Sequence, residues 1–494
     1  RLGSVLTLLL FSFIAVKQFF GHRHIFFQKK VLLGIFLFFS LLLLRLAFLQ
    51  YLFLPPYSDS PNHYQIIEGF VYSNSSVSFR YSLENLFSNY YHFGFHSLVA
   101  WTVSSLGVSI TDAMSLLGQF FLVLAPIAIF FFVYVLTNDV KGAFFAGLLS
   151  AFGWHMPAFA VNWGKFPALA ALSIFPAVLG FLYVFFLKKH RTGKDFLLLF
   201  FLVLGAVLLH TRIVFLLFLL GMVFLFIQII PLSKDFGYTR SILYTVLFFV
   251  VLYPLLEPLQ YFYLQWPTLV ILVFLLPFSF TAYPRTSVVV FLFVAGLWAM
   301  GALSVFLKIA ELLNKEFLEI ALYIPLSLMG GMGFSGLLKN ISANLFYKVM
   351  VALILIALIL FAFSNQQSIY PDPCCDYVQK SDMLAFEFLQ KELPENSLVL
   401  ISSIKNSKEN SATDAGVWIY PLLKIPTNNF FYDANWRVYD RVDEICQLGA
   451  KYVFIYAGGR LHSFDDIALA KAEWYTLVFR SGKTKIYQMQ SCAQ

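Results

Sequence analysis

The chain has 494 residues, of which 60% are hydrophobic and only 12% charged, and its mean hydropathy is +0.77. About a quarter of the residues of a soluble protein are charged, so this composition excludes a soluble globular protein and predicts a polytopic α-helical membrane protein. Lys and Arg outnumber Asp and Glu by 21 to 11 up to Ser364 and are outnumbered 13 to 15 afterwards. The basic excess thus belongs to loops between apolar runs, which favours membrane topology and argues against a nucleic-acid partner.

Apolar runs long enough to cross a ~30 Å hydrocarbon layer as helices recur up to residue 364, and we expect about 11 to 13 transmembrane helices. One run is too long for a single crossing and is interrupted by His210, Thr211 and Arg212, so it is divided in two. The predicted spans are Arg1–Phe20, Val31–Leu54, Asp112–Thr137, Ala143–Ala160, Phe166–Leu187, two within Phe196–Ile230, Ser241–Leu256, Leu264–Phe280, Val288–Leu307, Phe317–Leu337 and Ala343–Phe363, with Ser97–Ser109 as a further span or a re-entrant piece.

Basic residues are distributed unevenly between alternate loops. One set of loops holds Arg23, Lys29, Lys30, Lys141, Lys188, Lys189, Arg191, Lys194, Lys234, Arg240, Arg285, Lys339 and Lys348, and the opposite set holds Arg80, Lys165, Arg212, Lys308 and Lys315. By the positive-inside rule the richer set is cytoplasmic. We therefore expect an integral plasma-membrane protein whose Pro55–His96 loop and C-terminal part are extracytoplasmic.

The Pro55–His96 loop is polar and lies between two apolar runs, so it must lie outside the hydrocarbon. It carries the carboxylates and imidazoles of Asp59, His63, Glu68, Glu84, His92 and His96. Carboxylates and imidazoles concentrated at the water edge of an apolar chain are typical of a reaction site. We predict that the rest of the membrane part is a frame for this loop.

Asp59 follows Pro55-Pro56 directly after a predicted span. It is a candidate general base or a candidate ligand of a divalent cation such as Mg²⁺ or Mn²⁺; the alternative is a helix cap, since Asp59 or Ser60 before Pro61 suits that position. His63 lies one helical turn further and would share the same face. Glu68 is a weaker candidate for the same substrate pocket.

His92 and His96 are spaced i, i+4 in YYHFGFH, which on a helix permits a shared metal ion. The stretch has no HExxH pattern, and Gly94 weakens a helix there. A contact of these two imidazoles to a sugar or phosphate in the substrate pocket is therefore preferred to a zinc site.

Two further polar patches are predicted on the outer side. The first, GWHMPAFAVNWGKFP, contains His155, Trp163 and Lys165. Lys165 lies just before a helix, and a cation at a helix N-terminus suits phosphate binding. The alternative is that Lys165 snorkels to the membrane interface beside an interfacial Trp. His210 and Arg212 lie at a break between two helices, and irregular polar backbone at that depth is tolerated where it lines a cavity. We predict that Lys165, His210, Arg212 and His155 bind a donor phosphate and that Trp163 lines the substrate pocket.

Residues 365–494 have the composition of a soluble domain. Helical periodicity covers Ser381–Leu393 and Asp440–Leu448, and β-type runs are Ser397–Ile401, Lys451–Tyr456, Trp474–Phe479 and Thr484–Gln488. This pattern predicts a small extracytoplasmic α/β domain above the loop, with a hairpin turn at Gly482. All four cysteines fall in this part, where an oxidising compartment permits one or two disulfides.

The sequence resembles the GT-C superfamily of integral-membrane glycosyltransferases, such as protein O-mannosyltransferases, aminoarabinose transferases and oligosaccharyltransferases. The matching stretches are PPYSDSPNH, with the acid of the first outer loop, YYHFGFH and NWGKFPAL. The resemblance implies a transmembrane domain of residues 1–364 and an outer domain of residues 365–494. It also implies a polyprenyl-phosphate-linked sugar as donor, a glycan, lipid or protein as acceptor, and Asp59 as the catalytic acid residue. Many family members have two acidic residues at this position, whereas Ser60 follows Asp59 here.

Two other functions fit the same pattern of spans. A lipid or solute transporter should show internal repeats and ionisable residues at mid-membrane, but Arg45 is essentially the only such charge and no convincing repeat is present. A non-catalytic GT-C-like scaffold subunit of a larger membrane complex would keep the frame without needing the loop acids.

Overall fold

The structure, a computed structural model, describes residues 29–72, 92–229, 237–252, 262–263, 268–306, 314–339, 345–364, 370–405, 410–459 and 462–490. The predicted span Arg1–Phe20, the loop residue Glu84 and the cysteine Cys492 lie outside these ranges.

Within the described ranges, the part of the chain before residue 365 contains only helices and the connections between them. Its helices are α1 (Lys29–Leu46), α2 (Asp59–Tyr72), α3 (Gly94–Leu106), α4 (Ile110–Thr137), α5 (Val140–Phe152), α6 (Phe159–Asn162), α7 (Phe166–Leu187), α8 (Gly193–Leu209), α9 (Ile213–Ile229), α10 (Tyr238–Leu252), α11 (Thr268–Ala282), α12 (Pro284–Phe306), α13 (Lys315–Ala321), α14 (Tyr323–Lys339) and α15 (Leu345–Ser364), with a 3₁₀ turn at Ala47–Tyr51 after α1.

Five helical segments among the described residues are long and apolar enough to cross a membrane: Gly34–Tyr51, Ile110–Thr137, Phe166–Leu187, Pro284–Leu303 and Lys315–Lys339. Shorter apolar helices accompany them, namely α5, α9, α10, α11 and α15. The protein is therefore a polytopic integral membrane protein, as its composition predicted. The division of the long run at His210–Arg212 is confirmed, because α8 ends at Leu209 and α9 begins at Ile213.

Small residues bring the central helices close together. Every residue of α14 from Tyr323 to Leu337 is buried. A Cβ added at Gly331 would lie 2.5 Å from the Cβ of Ala146 in α5, and one at Gly142 would lie 2.6 Å from the Cβ of Ser335. Close backbone approach through small residues is a common way of packing helices in lipid, where van der Waals contact replaces the hydrophobic effect.

The predicted continuous span Ala143–Ala160 is wrong. Helix α5 ends at Phe152, and the chain then forms turns, the short helix α6 and a further turn before α7 begins at Phe166. Gly153 and Pro157 interrupt the run, since Pro lacks the N–H that a helix interior needs. The residues of this connection are nonetheless mostly buried, which explains why their apolar composition looked like that of a span.

The C-terminal part is a small α/β domain. Its elements are α16 (Lys380–Glu392), β1 (Ser397–Lys405), β2 (Asn410–Ala412), α17 (Ile419–Leu423), β3 (Thr427–Phe431), α18 (Tyr439–Cys446), β4 (Tyr452–Ala457), α19 (Asp466–Lys471), β5 (Tyr475–Ser481) and β6 (Thr484–Met489), with a 3₁₀ turn at Ala415–Trp418 before α17. The strands form a six-stranded sheet in the order β2-β1-β4-β6-β5, with β3 also paired to β1. β1 runs parallel to β3 and β4, whereas the hairpin β5–β6 is antiparallel. The predicted helices and the four predicted strands are confirmed, including the Gly482 turn, where φ is +54°.

The domain rests on the end of the membrane part that carries α2. The backbone N–H of Tyr57 donates to the carbonyl oxygen of Cys375 at 2.8 Å, and the N–H of Asp372 donates to Asn162 Oδ1 at 2.8 Å. Leu54 shares a hydrophobic core with one face of the sheet. The loop after α1 and the C-terminal domain therefore lie on the same side of the molecule.

The three cysteines within the described ranges are all disulfide-bonded, as the sequence allowed. Cys374 is bonded to its neighbour Cys375, beside the contact with Tyr57. Cys446 is also disulfide-bonded.

Candidate functional site

A cavity of about 280 Å³ lies between α2 and the ends of the membrane helices. Five separate segments contribute its walls: the first turns of α2, the residue His92 just before α3, the start of α7, the α8–α9 connection and the start of α13. The lining residues are Asp59, Asn62, His63, Ile66, His92, Lys165, Pro167, Ala168, His210, Arg212, Asn314, Glu316, Phe317 and Ile320. Six of the residues singled out from the sequence (Asp59, His63, His92, Lys165, His210 and Arg212) are thus brought together here.

Lys165 is the charged centre of the cavity wall. Its Nζ lies 2.6 Å from Asp59 Oδ2 and 2.6 Å from Glu316 Oε2. Burial alone would lower the pKa of Lys165, but the two carboxylates outweigh this effect and the pKa is raised. The ammonium form is therefore retained in the partly buried site.

The turn before Lys165 depends on a glycine. Gly164 has φ +61°, and a Cβ there would lie 2.6 Å from Ser60 Oγ and 3.0 Å from the carbonyl oxygen of Pro56. Only glycine combines this left-handed backbone with so close an approach. Gly164 thus lets the turn lie against the start of α2 and places Lys165 beside Asp59.

Glu316 was not predicted from the sequence. It lies in the first turn of α13, where the side chain of Asn314 caps the helix by accepting the N–H of Phe317 at 3.1 Å and also donates from Nδ2 to Glu316 Oε2 at 3.2 Å. The signal available in the sequence was an acidic residue on the outer side just before a predicted span, as at Asp59.

His63 and His96 form a buried pair behind Asp59. Their Nδ1 and Nε2 atoms are 2.9 Å apart, and His96 is fully buried, so it supports the cavity wall from the layer behind. Burial lowers the pKa of His63 to about 4, although the charge of Asp59 acts in the opposite direction. His63 is consequently neutral at physiological pH.

His92 and Arg212 also line the cavity. The rings of His92 and His210 are stacked with centroids 3.9 Å apart, and His210 in turn stacks on Phe317 at 4.8 Å. The guanidinium of Arg212 lies 5.8 Å from the centre of the Phe317 ring. Burial lowers the pKa of His92 to about 3, with His63 and Arg212 adding to the effect. Arg212 therefore brings charge to a wall whose half-buried His92 stays neutral.

Three residues predicted for the site lie away from the cavity. Glu68 points to the C-terminal domain and pairs with Lys424, because it is on the face of α2 that the domain covers. His155 is buried, with its ring against Phe361 at 6.0 Å. Trp163 packs between Phe159 and Phe262, where it supports the turn and not the cavity surface.

The described residues do not fit a divalent-cation site. Nowhere in the described ranges do three or more His, Cys, Asp or Glu side chains cluster so that they could hold a metal ion. Asp59, the predicted metal ligand, has one acidic neighbour in the cavity, Glu316, and the Lys165 ammonium lies against an oxygen of each.

The profile of a family of unknown function, DUF6541, matches residues 30–369, more than half of the sequence. The chain belongs to the DUF6541 family. The matched range contains every residue that lines the cavity. None of the curated proteins compared with this DUF6541 chain matches it significantly.

Solved structures of membrane glycosyltransferases have a similar fold. The Archaeoglobus fulgidus oligosaccharyltransferase AglB in complex with Zn and sulfate gives a TM-score of 0.52 at 12% identity, covering 85% of this chain and 67% of AglB. AglB in complex with an inhibitory peptide and a dolichol-phosphate gives 0.51 at 12% identity, covering 86% of this chain and 69% of AglB. The arabinofuranosyltransferase AftD from Mycobacteria gives 0.45 at 13% identity, covering 94% of this chain.

The likeness to AglB shows the fold alone, because the identity is low. This DUF6541 chain has the GT-C-type architecture that its resemblance implied. It spans 40% of the length of AftD and about two-thirds of the length of AglB.

Proposed function

We propose that this protein is a membrane glycosyltransferase. It transfers a sugar from a polyprenyl-phosphate donor to an acceptor hydroxyl of a glycan, lipid or protein on the extracytoplasmic face. The observation that carries the proposal is the cavity in which Asp59 and Arg212, more than 150 positions apart in sequence, line the same small space at one end of the spans. A carboxylate and a cation that line one cavity are what a displacement with a phosphate leaving group requires.

The donor phosphate is placed against Arg212. Helices α7 and α9 both begin at the cavity, and their N-terminal N–H groups carry partial positive charge that favours an anion. Arg212 adds a full charge immediately before α9, and its planar guanidinium suits two phosphate oxygens. Lys165, which the sequence suggested as a phosphate ligand, contacts two carboxylates, and the phosphate is assigned to Arg212 and the neighbouring His210.

Asp59 acts as the general base. The acceptor oxygen attacks the anomeric carbon, its proton passes to the Asp59 carboxylate, and the bond from the anomeric carbon to the phosphate oxygen breaks with its electron pair. The polyprenyl phosphate leaves, its growing negative charge stabilised by Arg212. The Asp59 side chain is 32% exposed, so its carboxylate is reachable from the cavity.

The cavity volume suits the head of such a donor. About 280 Å³ is just below the usual range for small-molecule sites, which is about 300–1,000 Å³. It has room for a sugar phosphate, so the polyprenyl chain would remain in the surrounding lipid. The neutral imidazole of His92 supplies a hydrogen bond to a sugar hydroxyl without adding charge, and His63, held by His96, shapes the wall beside Asp59.

The experiment is a donor panel. The purified full chain in liposomes is supplied with polyprenyl phosphates carrying different single sugars, together with a mixture of acceptor glycans, lipids and peptides, and release of polyprenyl phosphate is measured. We expect release from at least one donor that depends on an acceptor. No release above that of protein-free liposomes, for any donor, would contradict the proposal and favour the scaffold function.

A further inference from the structure

Two carboxylates and one ammonium form a compact unit in the cavity wall. Asp59 and Glu316 each place an oxygen 2.6 Å from Lys165 Nζ, so these two oxygens are no more than about 5 Å apart. Two carboxylates at this distance repel each other unless a cation lies between them. Here that cation is a side chain, the Lys165 ammonium.

The unit is built from three segments and is held from several sides. Asp59 is the first residue of α2, Glu316 belongs to the first turn of α13, and Lys165 immediately precedes α7. Asn314 fixes the Glu316 oxygen that Lys165 contacts, and Gly164 fixes the turn that carries Lys165. The side chain of Lys165 is only 19% exposed, and its raised pKa is consistent with a permanently charged group. Lys165 is therefore held in a fixed position, unlike a flexible surface lysine.

We propose that the Lys165 ammonium takes the place of a divalent metal ion between Asp59 and Glu316, and that the protein works without a metal at this site. The inference rests on the proposed glycosyltransferase function and deepens it. It states that Lys165, a positioning residue, neutralises the repulsion between the two carboxylates of that site. Lys165 holds the Asp59 carboxylate in place, and Glu316 holds Lys165.

The proposal makes a direct statement about metal binding. Removing the ammonium should leave two carboxylates facing an open space, which Mn²⁺ with its preference for oxygen ligands can fill. Lys165→Ala should therefore gain Mn²⁺ affinity, whereas Lys165→Arg keeps the positive charge and should not. The matched control is Lys315→Ala, since Lys315 is also near the cavity but pairs with Glu319 at 3.6 Å and does not line it.

The experiment measures free Mn²⁺ by electron paramagnetic resonance during titration of the purified full-length protein. The wild type, Lys165→Arg and Lys315→Ala should not bind Mn²⁺ through Glu316. Adding Glu316→Gln to each of them should therefore leave Mn²⁺ binding unchanged. Lys165→Ala should bind at least about tenfold more tightly, because one unit of charge at contact distance has been removed. Equal affinity of folded Lys165→Ala and wild type would overturn the proposal.

The wild type alone also decides the matter if Lys165→Ala does not fold. Mn²⁺ binding by the wild type that Asp59→Asn or Glu316→Gln removes would contradict the proposal, and its absence supports it. The readout needs no sugar transfer. If the protein turns over no donor but the variants show the expected Mn²⁺ binding, the proposed function is wrong and this inference stands. If the protein transfers sugar but the wild type binds Mn²⁺ through Glu316, this inference is wrong and the proposed function stands.

Discussion

Arg212 brings a positive charge to the cavity wall at the start of α9. Its guanidinium lies 5.8 Å from the centre of the Phe317 ring, and Arg212 lines the same cavity as Asp59. In the proposed function this charge meets the negative charge of the donor phosphate.

Arg212→Ala should weaken binding of a polyprenyl phosphate by about 10- to 100-fold, since a hydrogen bond to a charged group is worth about 1.5–3 kcal/mol. The measurement is equilibrium binding of a fluorescent polyprenyl phosphate to purified protein in nanodiscs. Arg285→Ala is the control, because Arg285 is exposed and bonds to Gln228 away from the cavity. Equal losses in both variants would remove phosphate recognition from Arg212.

His63 and His92 predict a pH dependence of stability. Their folded-state pKa values, about 4 and about 3, are below the value of 6.5 in an unfolded chain. Between pH 6.5 and pH 4 the unfolded state therefore binds protons that the folded state does not, and the free energy of unfolding falls as the pH is lowered. The contribution of His63 is at most roughly 3 kcal/mol.

His63→Asn should flatten this decline, which thermal unfolding in detergent between pH 4 and pH 7 would show. The exposed His190 provides the comparison, as His190→Asn removes a histidine far from the cluster. A pH profile of His63→Asn identical to that of the wild type would show that His63 does not titrate as inferred.

At the scale of elements, the turn between α6 and α7 sets the geometry of the site. It follows the stretch that was predicted as the span Ala143–Ala160, belongs to the polar patch predicted on the outer side, and carries Lys165 to the start of α2. Hydrophobicity could not reveal that the helix before it ends at Phe152, because the apolar residues that follow are buried within the protein. Gly164 was part of a polar patch in the sequence, but its role needs the position of Ser60 in space.

Gly164→Ala should lower the free energy of unfolding by about 1–3 kcal/mol, since a positive φ and a steric overlap are both imposed on the new side chain. It should also reduce sugar transfer, because Lys165 moves away from Asp59. The control is Gly205→Ala in α8, where an added Cβ meets nothing within 4 Å and helix propensity improves. Unfolding by heat and the donor assay measure the two effects. A Gly164→Ala protein as stable and active as Gly205→Ala would show that the close approach to Ser60 is not needed.

At the scale of the whole molecule, the local features of the sequence predicted the fold well. Span positions follow from length and hydropathy, and the strands of the C-terminal domain from alternating apolar residues. β3, with the sequence TNNFF, was missed because it is polar and half-exposed, and β2 because it has three residues. The site was predictable only in part. Glu316 belongs to it because it pairs with Lys165, which also pairs with Asp59, and both residues lie far from Glu316 in the chain.

The sidedness of the molecule is still a prediction from its basic loops. A single Cys at Glu395, exposed in the C-terminal domain, should react in intact cells with a membrane-impermeant maleimide, whereas a Cys at Lys189 should not. Both variants should react after the membrane is opened. Labelling of the Lys189 position alone in intact cells would invert the assigned topology and place the cavity on the cytoplasmic side.

The central claim is that Asp59 removes the proton of the acceptor in a sugar transfer from a lipid phosphate. Asp59→Asn keeps the size of the side chain and most of its ability to cap a helix, so it separates chemistry from structure. The decisive measurement is the rate of transfer from the active donor by purified wild type and Asp59→Asn, with donor binding and thermal unfolding measured on the same samples. We predict a folded, donor-binding variant whose rate is lower by about 10²–10⁴-fold. A variant that transfers sugar at nearly the wild-type rate would contradict the account and leave Asp59 as a structural residue at the start of α2.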